Sequence, residues 1–295
     1  MASPRTRALR GKVVYVLVSA IGLVFRLLPL GAARAVGVSI AVIAGPFFRR
    51  DLRRADANLA AAYPGWSKSQ RRATVRKLVR HMGATFAEFL WLPKVDLART
   101  TTYEGIEHVA QRSGGIVAIT AHCGNWEWAA HAIGAIAPVT TMQRARDEKD
   151  IDRLITQMRA RSNVHSIDRG SASGAREMIR ALRDGNLLAF LIDQNIRAES
   201  VKVPFFGRPA LTPIGPAKLA IRTGAPVVCI FDERRRDGKH VIRIHPPMTD
   251  SDPIALTARI TALIEEEIRR RPEQWVWFHD RWRERPQWDV TPATG

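Results

Sequence analysis

The segment Ala121-His122-Cys123-Gly124-Asn125-Trp126-Glu127-Trp128 sets a histidine at the end of an apolar run and a glutamate five positions later. Between them lies a small polar corner, Cys123-Gly124-Asn125. A histidine that only fills a core needs no such arrangement, whereas one that must take a proton from an alcohol does. Asn125 is a good cap for a following helix, which puts Glu127 in its first turn. A first-turn carboxylate can fold back to the imidazole at the corner. Bonded to one ring nitrogen, it fixes the tautomer and stabilises the imidazolium, leaving the other nitrogen as a base. General-base catalysis of this kind contributes ~10²–10⁴ in rate. The spacing alone is common, and a structural histidine satisfied by its neighbours fits it too.

The elements that must position such a site read as alternating strands and helices from about residue 103. "GIVAIT" (115–120), "PVTTMQ" (138–143), "LLAFLID" (187–193), "PVVCIF" (226–231) and "VIRIH" (241–245) have strand character. Segments 148–161, 173–184, 213–223 and 253–271 have helical character, the third opening on Thr212 as cap with Pro213 behind it and closing at Gly224. The alternation predicts an α/β fold, a mixed central sheet flanked by helices. His122 then stands just beyond a strand's carboxyl end, where open α/β sheets place their sites. Asp193 and Gln194 end another strand, and the acid there is either catalytic support or a helix cap.

The chain has 295 residues and a formal net charge of +18, with 46% hydrophobic residues and two cysteines. So large a cationic excess implies a polyanionic partner, nucleic acid or anionic lipid. The cysteines supply neither a disulfide framework nor a zinc site, and nothing suggests a cofactor. Near the amino terminus, two apolar runs (13–25 and 35–48) are bracketed by arginines and end in "RRDLRR" (49–54). Each is shorter than a full bilayer span, which fits interfacial helices or one tilted anchor with cationic ends at lipid phosphates. A signal peptide and a buried helical hairpin are the competing readings, and the flanking arginines favour the membrane. Residues 66–92 read as a helix with Val75, Val79, Met82, Phe86 and Phe89 on one face and Arg72, Arg76 and Arg80 on another. The expected organisation is a membrane-anchoring segment (1–54), an α/β domain (55–290) and a frayed tail (291–295).

Five ordered blocks resemble those of the bacterial lipid A biosynthesis acyltransferases, which share a His-x4-Asp/Glu motif with the glycerolipid acyltransferases. "AHCGNWEW" is similar to the family's His-Phe-Gly-Asn-Trp-Glu core, and "MQRARDEKDIDRLITQMRARS" (142–162) to its Tyr-Arg-Pro segment and following helix. "LLAFLIDQN" (187–195) resembles its Asp-Gln strand end, and "VPFFGRPALTPIGPAKLAIRTGAPVV" (203–228) its Pro-Phe-Phe-Gly and Thr-Pro-x-Gly loop. "PEQWVWFHDRWRERP" (272–286) resembles its terminal Trp-rich signature.

The resemblance implies transfer of a fatty acyl group from an acyl-carrier-protein or coenzyme A thioester to a hydroxyl of an anionic membrane glycolipid. A lipid A precursor is the first-choice acceptor, and a mannosylated phosphatidylinositol or other glycerolipid the second. It places the protein at the cytoplasmic face of the bacterial inner membrane, with membrane rather than nucleic acid as its polyanion. A catalytically silent basic binding protein is the reading from a different class. His122 is the implied base and Glu127 its orienter. Asn125, Arg144, Asp193, Gln194, Phe206, Gly207 and Thr212 are the implied substrate-binding residues. Arg144 would hold a phosphate or the developing oxyanion, the alternative being an ion pair with Asp147 or Glu148. Phe205, Phe206 and Gly207 would form an apolar wall near the acyl chain or part of the core. Trp275, Trp277 and Trp282 would form an interfacial belt or pack internally. Three departures stand out: Cys123 replaces Phe, Gln143-Arg144-Ala145 replaces Tyr-Arg-Pro, and "KDID" lacks the family's Asn-Pro, which leaves the acceptor contacts open. Cys123 raises an acyl-cysteine alternative, although adjacent side chains at a strand end point apart, and a small buried filler is the simpler reading.

Overall fold

The computed structural model describes residues 20–143, 149–168 and 173–292. After a helical segment at 20–27 come α1 (Leu30–Ala44), α2 (Arg49–Ala62) and α3 (Lys68–Trp91). Ser67 and Gln70 form a reciprocal capping box that starts α3. The α/β part then runs β1 (Thr101–Glu104), β2 (Ile116–Thr120), α4 (Trp126–Gly134), β3 (Val139–Gln143), α5 (Lys149–Ala160), β4 (Val164–Asp168), α6 (Gly174–Arg183) and β5 (Leu187–Leu191). It continues with β6 (Ser200–Phe205), β7 (Arg208–Pro213), α7 (Gly215–Thr223), β8 (Val227–Arg234), β9 (His240–Ile244) and α8 (Pro253–Arg270).

Seven strands form one sheet in the order β1-β9-β8-β2-β5-β3-β4, with β8 and β9 antiparallel and the other pairs parallel. The expected mixed sheet is therefore present. Strand β2 is buried on both faces, Val117 and Ile119 feeding one core and Ile116 and Ala118 the other. That double burial is why its sequence is a continuous apolar run rather than an alternation.

Two local expectations change. Thr212 and Pro213 do not open a helix, because they complete β7 of the β6–β7 hairpin, and α7 begins at Gly215 with Ile214 as cap. The hairpin turn is Phe206-Gly207, both at positive φ (53° and 70°), as a two-residue turn between twisted strands requires. Gly224 does close α7, in the left-handed region. On α3 the buried positions include Thr74, His81, Thr85 and Glu88, while Phe86 is 48% exposed. The helix thus buries a polar stripe that apolar periodicity cannot reveal.

Helix α1 is bound closely to the body. A Cβ on Gly37 would meet the Gly83 carbonyl oxygen at 2.4 Å, and one on Gly83 the Gly37 oxygen at 2.5 Å, so only glycines allow α1 and α3 to cross backbone to backbone. On its other side α1 exposes Val36, Ile40 and Ile43, followed by exposed Phe47 and Phe48. The stretch Leu30–Ala62 is long and apolar enough to cross a membrane by length and composition, which is weak evidence for a span.

Candidate active site

The register of β2 on β5 pairs Thr120 with Leu191, and two residues beyond each strand stand His122 and Asp193. Parallel neighbours in register deliver these side chains to one place at the carboxyl edge. His122 Nδ1 lies 2.9 Å from Asp193 Oδ1, and the His122 backbone N–H donates to Asp193 Oδ2 at 3.0 Å. Trp275 Nε1 donates to the same Oδ2 at 2.7 Å. Burial alone would raise the Asp193 pKa, but the His122 charge and these hydrogen bonds bring it down to about 2. An ionised carboxylate can only accept, so Nδ1 carries the proton and Nε2 is the basic nitrogen. Burial works against the His122 cation, yet Asp193, with a smaller contribution from the Glu127 charge, raises the imidazolium pKa above its ordinary value.

Glu127 is thus not the hydrogen-bonded orienter expected of it. In the first turn of α4 its carboxylate turns to α5, accepting from Arg159 Nε at 3.0 Å and Nη2 at 2.5 Å. A bidentate guanidinium outcompetes a neutral imidazole for a carboxylate, and Asp193 already occupies Nδ1. Sequence reasoning missed Arg159. The strand-end position of Asp193, matching that of His122, was the signal available for the true partner.

The corner between His122 and Glu127 is held from behind. Asn125 is the expected cap, its Oδ1 accepting from Trp128 N–H at 3.1 Å. Its Nδ2 donates to Glu88 at 2.8 Å and its backbone N–H to Asp232 Oδ2 at 2.6 Å. Gly124 has φ +57°, and a Cβ there would sit 2.0 Å from the Asp232 carbonyl oxygen. Only glycine fits that approach. Buried Glu88 also accepts from Arg34 at 2.6 Å and from Arg234 at 2.6 Å, so α1 contributes a charge to the network behind the site. Burial alone would raise the Glu88 pKa, but Arg234 and His240 hold its carboxyl well below the ordinary range.

His122 opens on a cleft of 1740 Å³. Phe86, Phe89, Ile133, Met178 and Phe190 are among its apolar lining, and Trp126, Glu127, Arg159 and Gln194 line it as well. Of the other expected residues, Asn125 and Asp193 lie buried behind the corner, and Thr212 is buried in β7, where it accepts from Arg281 Nη2 at 2.6 Å. Phe206 and Gly207 do not line the cleft: the Phe206 ring packs on Tyr63 and Trp277 beneath the hairpin turn. Arg144 lies outside the described residues. Trp275 and Trp277 are fully buried, so they are packing residues and not an interfacial belt.

A bacterial lipid A biosynthesis acyltransferase family model matches residues 2–284. The chain belongs to that family. It is 30% identical over 275 residues to the lipid A biosynthesis lauroyltransferase of Escherichia coli K12, covering 88% of each chain. It is 27% identical over 273 residues to that organism's palmitoleoyltransferase, covering 88% of this chain and 87% of the relative. A phosphatidylinositol mannoside acyltransferase of Mycobacterium tuberculosis is 26% identical over 191 residues, 60% of this chain and 58% of the relative. Superposition on the crystal structure of the 1-acyl-sn-glycerophosphate acyltransferase PlsC from Thermotoga maritima has a TM-score of 0.40 at 13% identity, over 90% of this chain and 99% of that one.

An acyltransferase of this family requires an acyl donor and a lipid acceptor, and the cleft beside His122 is lined by both apolar side chains and cations. Cys123 is buried, and desolvation first, then the charge of Asp193, pushes its thiol well above the ordinary value. A thiol held neutral in this way is a poor nucleophile. Among the described residues, no group of three or more His, Cys, Asp or Glu side chains is placed to hold a metal ion.

Proposed function

We propose that this acyltransferase moves a fatty acyl group from an acyl-carrier-protein or coenzyme A thioester to a hydroxyl of a lipid A precursor, at the cytoplasmic face of the bacterial inner membrane. His122 Nε2 takes the proton of the acceptor hydroxyl as its oxygen attacks the thioester carbonyl. The carbon–sulfur bond breaks, and the departing thiolate receives the proton from the imidazolium. Asp193 holds the ring in the required tautomer and, with Glu127 further away, stabilises its positive charge. Arg159, fixed by Glu127 at the cleft wall, supplies positive charge for the oxyanion or an acceptor phosphate, the role also assigned to Arg144. The observation that carries this reading is the His122–Asp193 pair opening onto a large, mainly apolar cleft in a member of this family.

Membrane contact is supported by exposed Leu23, Val24, Leu27, Ile40, Ile43 and Phe47, with exposed Arg49 and Arg50 at one end of the apolar surface. Such a face suits the headgroup boundary. The mycobacterial relative favours a second acceptor, a mannosylated phosphatidylinositol. Incubation of the purified protein with both acyl thioesters and each lipid, read by mass spectrometry, separates the two. The expected product is a lipid A precursor heavier by one acyl chain. Acylation of the mannoside alone selects the second reading, and no acylated lipid under any pairing overturns both.

A further inference from the structure

We infer that the segment Gln274-Trp275-Val276 is a clamp that positions the His122–Asp193 pair, with the Trp275 indole as the group that fixes Asp193. The inference rests on the reading of His122 as the base. The segment is laced to the corner by its backbone. Gly124 N–H donates to Gln274 O at 2.9 Å, Val276 N–H donates to His122 O at 3.2 Å, and Cys123 pairs with Trp275 in a β-bridge between them. The same segment therefore grips the histidine's backbone and, through the indole, the carboxylate opposite.

Asp193 is nearly inaccessible to solvent, so its oxygens depend on protein donors. Oδ2 receives the Trp275 indole at 2.7 Å and the His122 backbone at 3.0 Å. Those two donors hold the carboxylate so that Oδ1 meets Nδ1. Trp275 is itself wedged, its ring 5.7 Å from that of Phe205 and 4.6 Å from that of Trp277. Its N–H thus has a fixed aim. The segment's continuation holds the strand end as well: His279 Nε2 accepts from Asn195 N–H at 2.8 Å.

Trp277 supplies an internal control. It is also fully buried and two residues away, but its Nε1 donates to the Pro272 carbonyl at 2.6 Å. Trp275→Phe and Trp277→Phe each delete an indole N–H, and only the first touches Asp193.

The test is the pH dependence of kcat and kcat/KM for both variants beside wild type. Loss of the N–H donor increases the proton affinity of Asp193 and strengthens its pull on the imidazolium. Trp275→Phe should therefore move the acid limb to higher pH by up to about one unit and lower kcat about tenfold, with KM for both substrates unchanged. Trp277→Phe should leave the limb in place. Equal limbs in the two variants, shifted or not, would overturn the clamp. If Trp275→Phe does not fold, 3-benzothienylalanine at 275 keeps the bicyclic ring without the N–H and gives the same reading. His122→Ala measured alongside separates the two claims. Normal turnover there sinks the base assignment, whereas an inactive His122→Ala with an unmoved Trp275→Phe limb sinks the clamp alone.

Discussion

Among the described residues, two histidine–aspartate pairs have nearly the same geometry. His122 Nδ1 meets Asp193 at 2.9 Å, and His240 Nδ1 meets Asp232 at 2.8 Å. In both pairs the carboxylate raises the imidazolium pKa against the effect of burial. The difference is at the other nitrogen. His240 is 0% exposed, lies flat on Trp128 at 3.9 Å between ring centroids, and has its Nε2 3.3 Å from Glu88. The His122 side chain is 22% exposed and lines the cleft, and its Nε2 has no hydrogen-bond partner among the described residues. A carboxylate on Nδ1 therefore does not make a histidine a base. An open Nε2 facing the cleft is what separates the two, and the proposal of His122 as the base rests on it; His240 instead serves the scaffold that holds the corner.

The sharpest way to break this comparison is to remove each ring. His122→Ala should lower kcat by at least ~10², with the smaller loss of stability, because buried Asp193 keeps the Trp275 indole and a backbone N–H as donors. His240→Ala should do the reverse. It strips a donor from two buried carboxylates, Asp232 and Glu88, and should cost about 3–5 kcal/mol of stability, while folded enzyme retains kcat within severalfold. Denaturant titrations and steady-state kinetics on both proteins decide the matter. A His240→Ala enzyme that is stable but inactive would erase the distinction.

Asp193→Asn comes next and separates orientation from charge. The amide keeps the shape but can offer an N–H to Nδ1, favouring the wrong tautomer and withdrawing support from the imidazolium; kcat should fall about 10²-fold. For wild type, the raised His122 pKa gives the pH dependence its sign. With His122 as the proposed base, turnover requires its neutral form, so kcat/KM should fall as pH drops through a value above 6.5, the ordinary histidine value. Stability runs the other way. A group whose pKa is raised on folding contributes stability fully below its unfolded value, and that contribution is lost as pH rises through the folded one. Activity should thus rise over the window in which the pair's ionic stabilisation fades. An acid limb below 6.5 would contradict the pairing.

How much of this was legible beforehand follows from the range of each interaction. The corner, the Asn125 cap and the strand-end placement of His122 depend on neighbours within a few residues, and local pattern exposes them. The choice between Glu127 and Asp193 depends on β2 and β5 being adjacent and in register, across a separation of 71 residues. No spacing rule carries that. Thr212-Pro213 misled because it has a cap's chemistry, whereas the Phe206-Gly207 turn, two residues of positive φ, makes it the end of a strand. Arg159, Arg34 and Arg281 likewise carry no local sign of their partners, which the fold brings from 32, 54 and 69 residues away.

Glu127→Gln should have a smaller effect than Asp193→Asn, because Glu127 acts on His122 only through space and holds Arg159 in place. A fall in kcat of about tenfold is expected, with a rise in KM for an anionic acceptor as the guanidinium loses its anchor. The double variant Asp193→Asn/Glu127→Gln then sharpens the assignment. Groups acting on His122 by separate routes should approach multiplicative losses, whereas a double variant no worse than Asp193→Asn would mean that they act as one unit.

The smallest effect belongs to Cys123→Ser. Cys123 adjoins the proposed base, so it is the natural place to seek an acyl-enzyme. Its thiol, however, is buried and held neutral by desolvation and by the negative charge of Asp193. Its backbone is also committed to the bridge with Trp275. Nothing in direct displacement needs the sulfur. Serine replaces it with a similar volume and a more polar group, at a cost of about 1–3 kcal/mol in stability if the hydroxyl finds no partner, and kcat should stay within a few-fold of wild type. Quenching the enzyme with acyl thioester alone, before acceptor is added, should give no protein heavier by one acyl chain. An acyl adduct on Cys123, together with an inactive Cys123→Ser, would replace direct displacement by a two-step route in which His122 serves the thiol first and the lipid hydroxyl second.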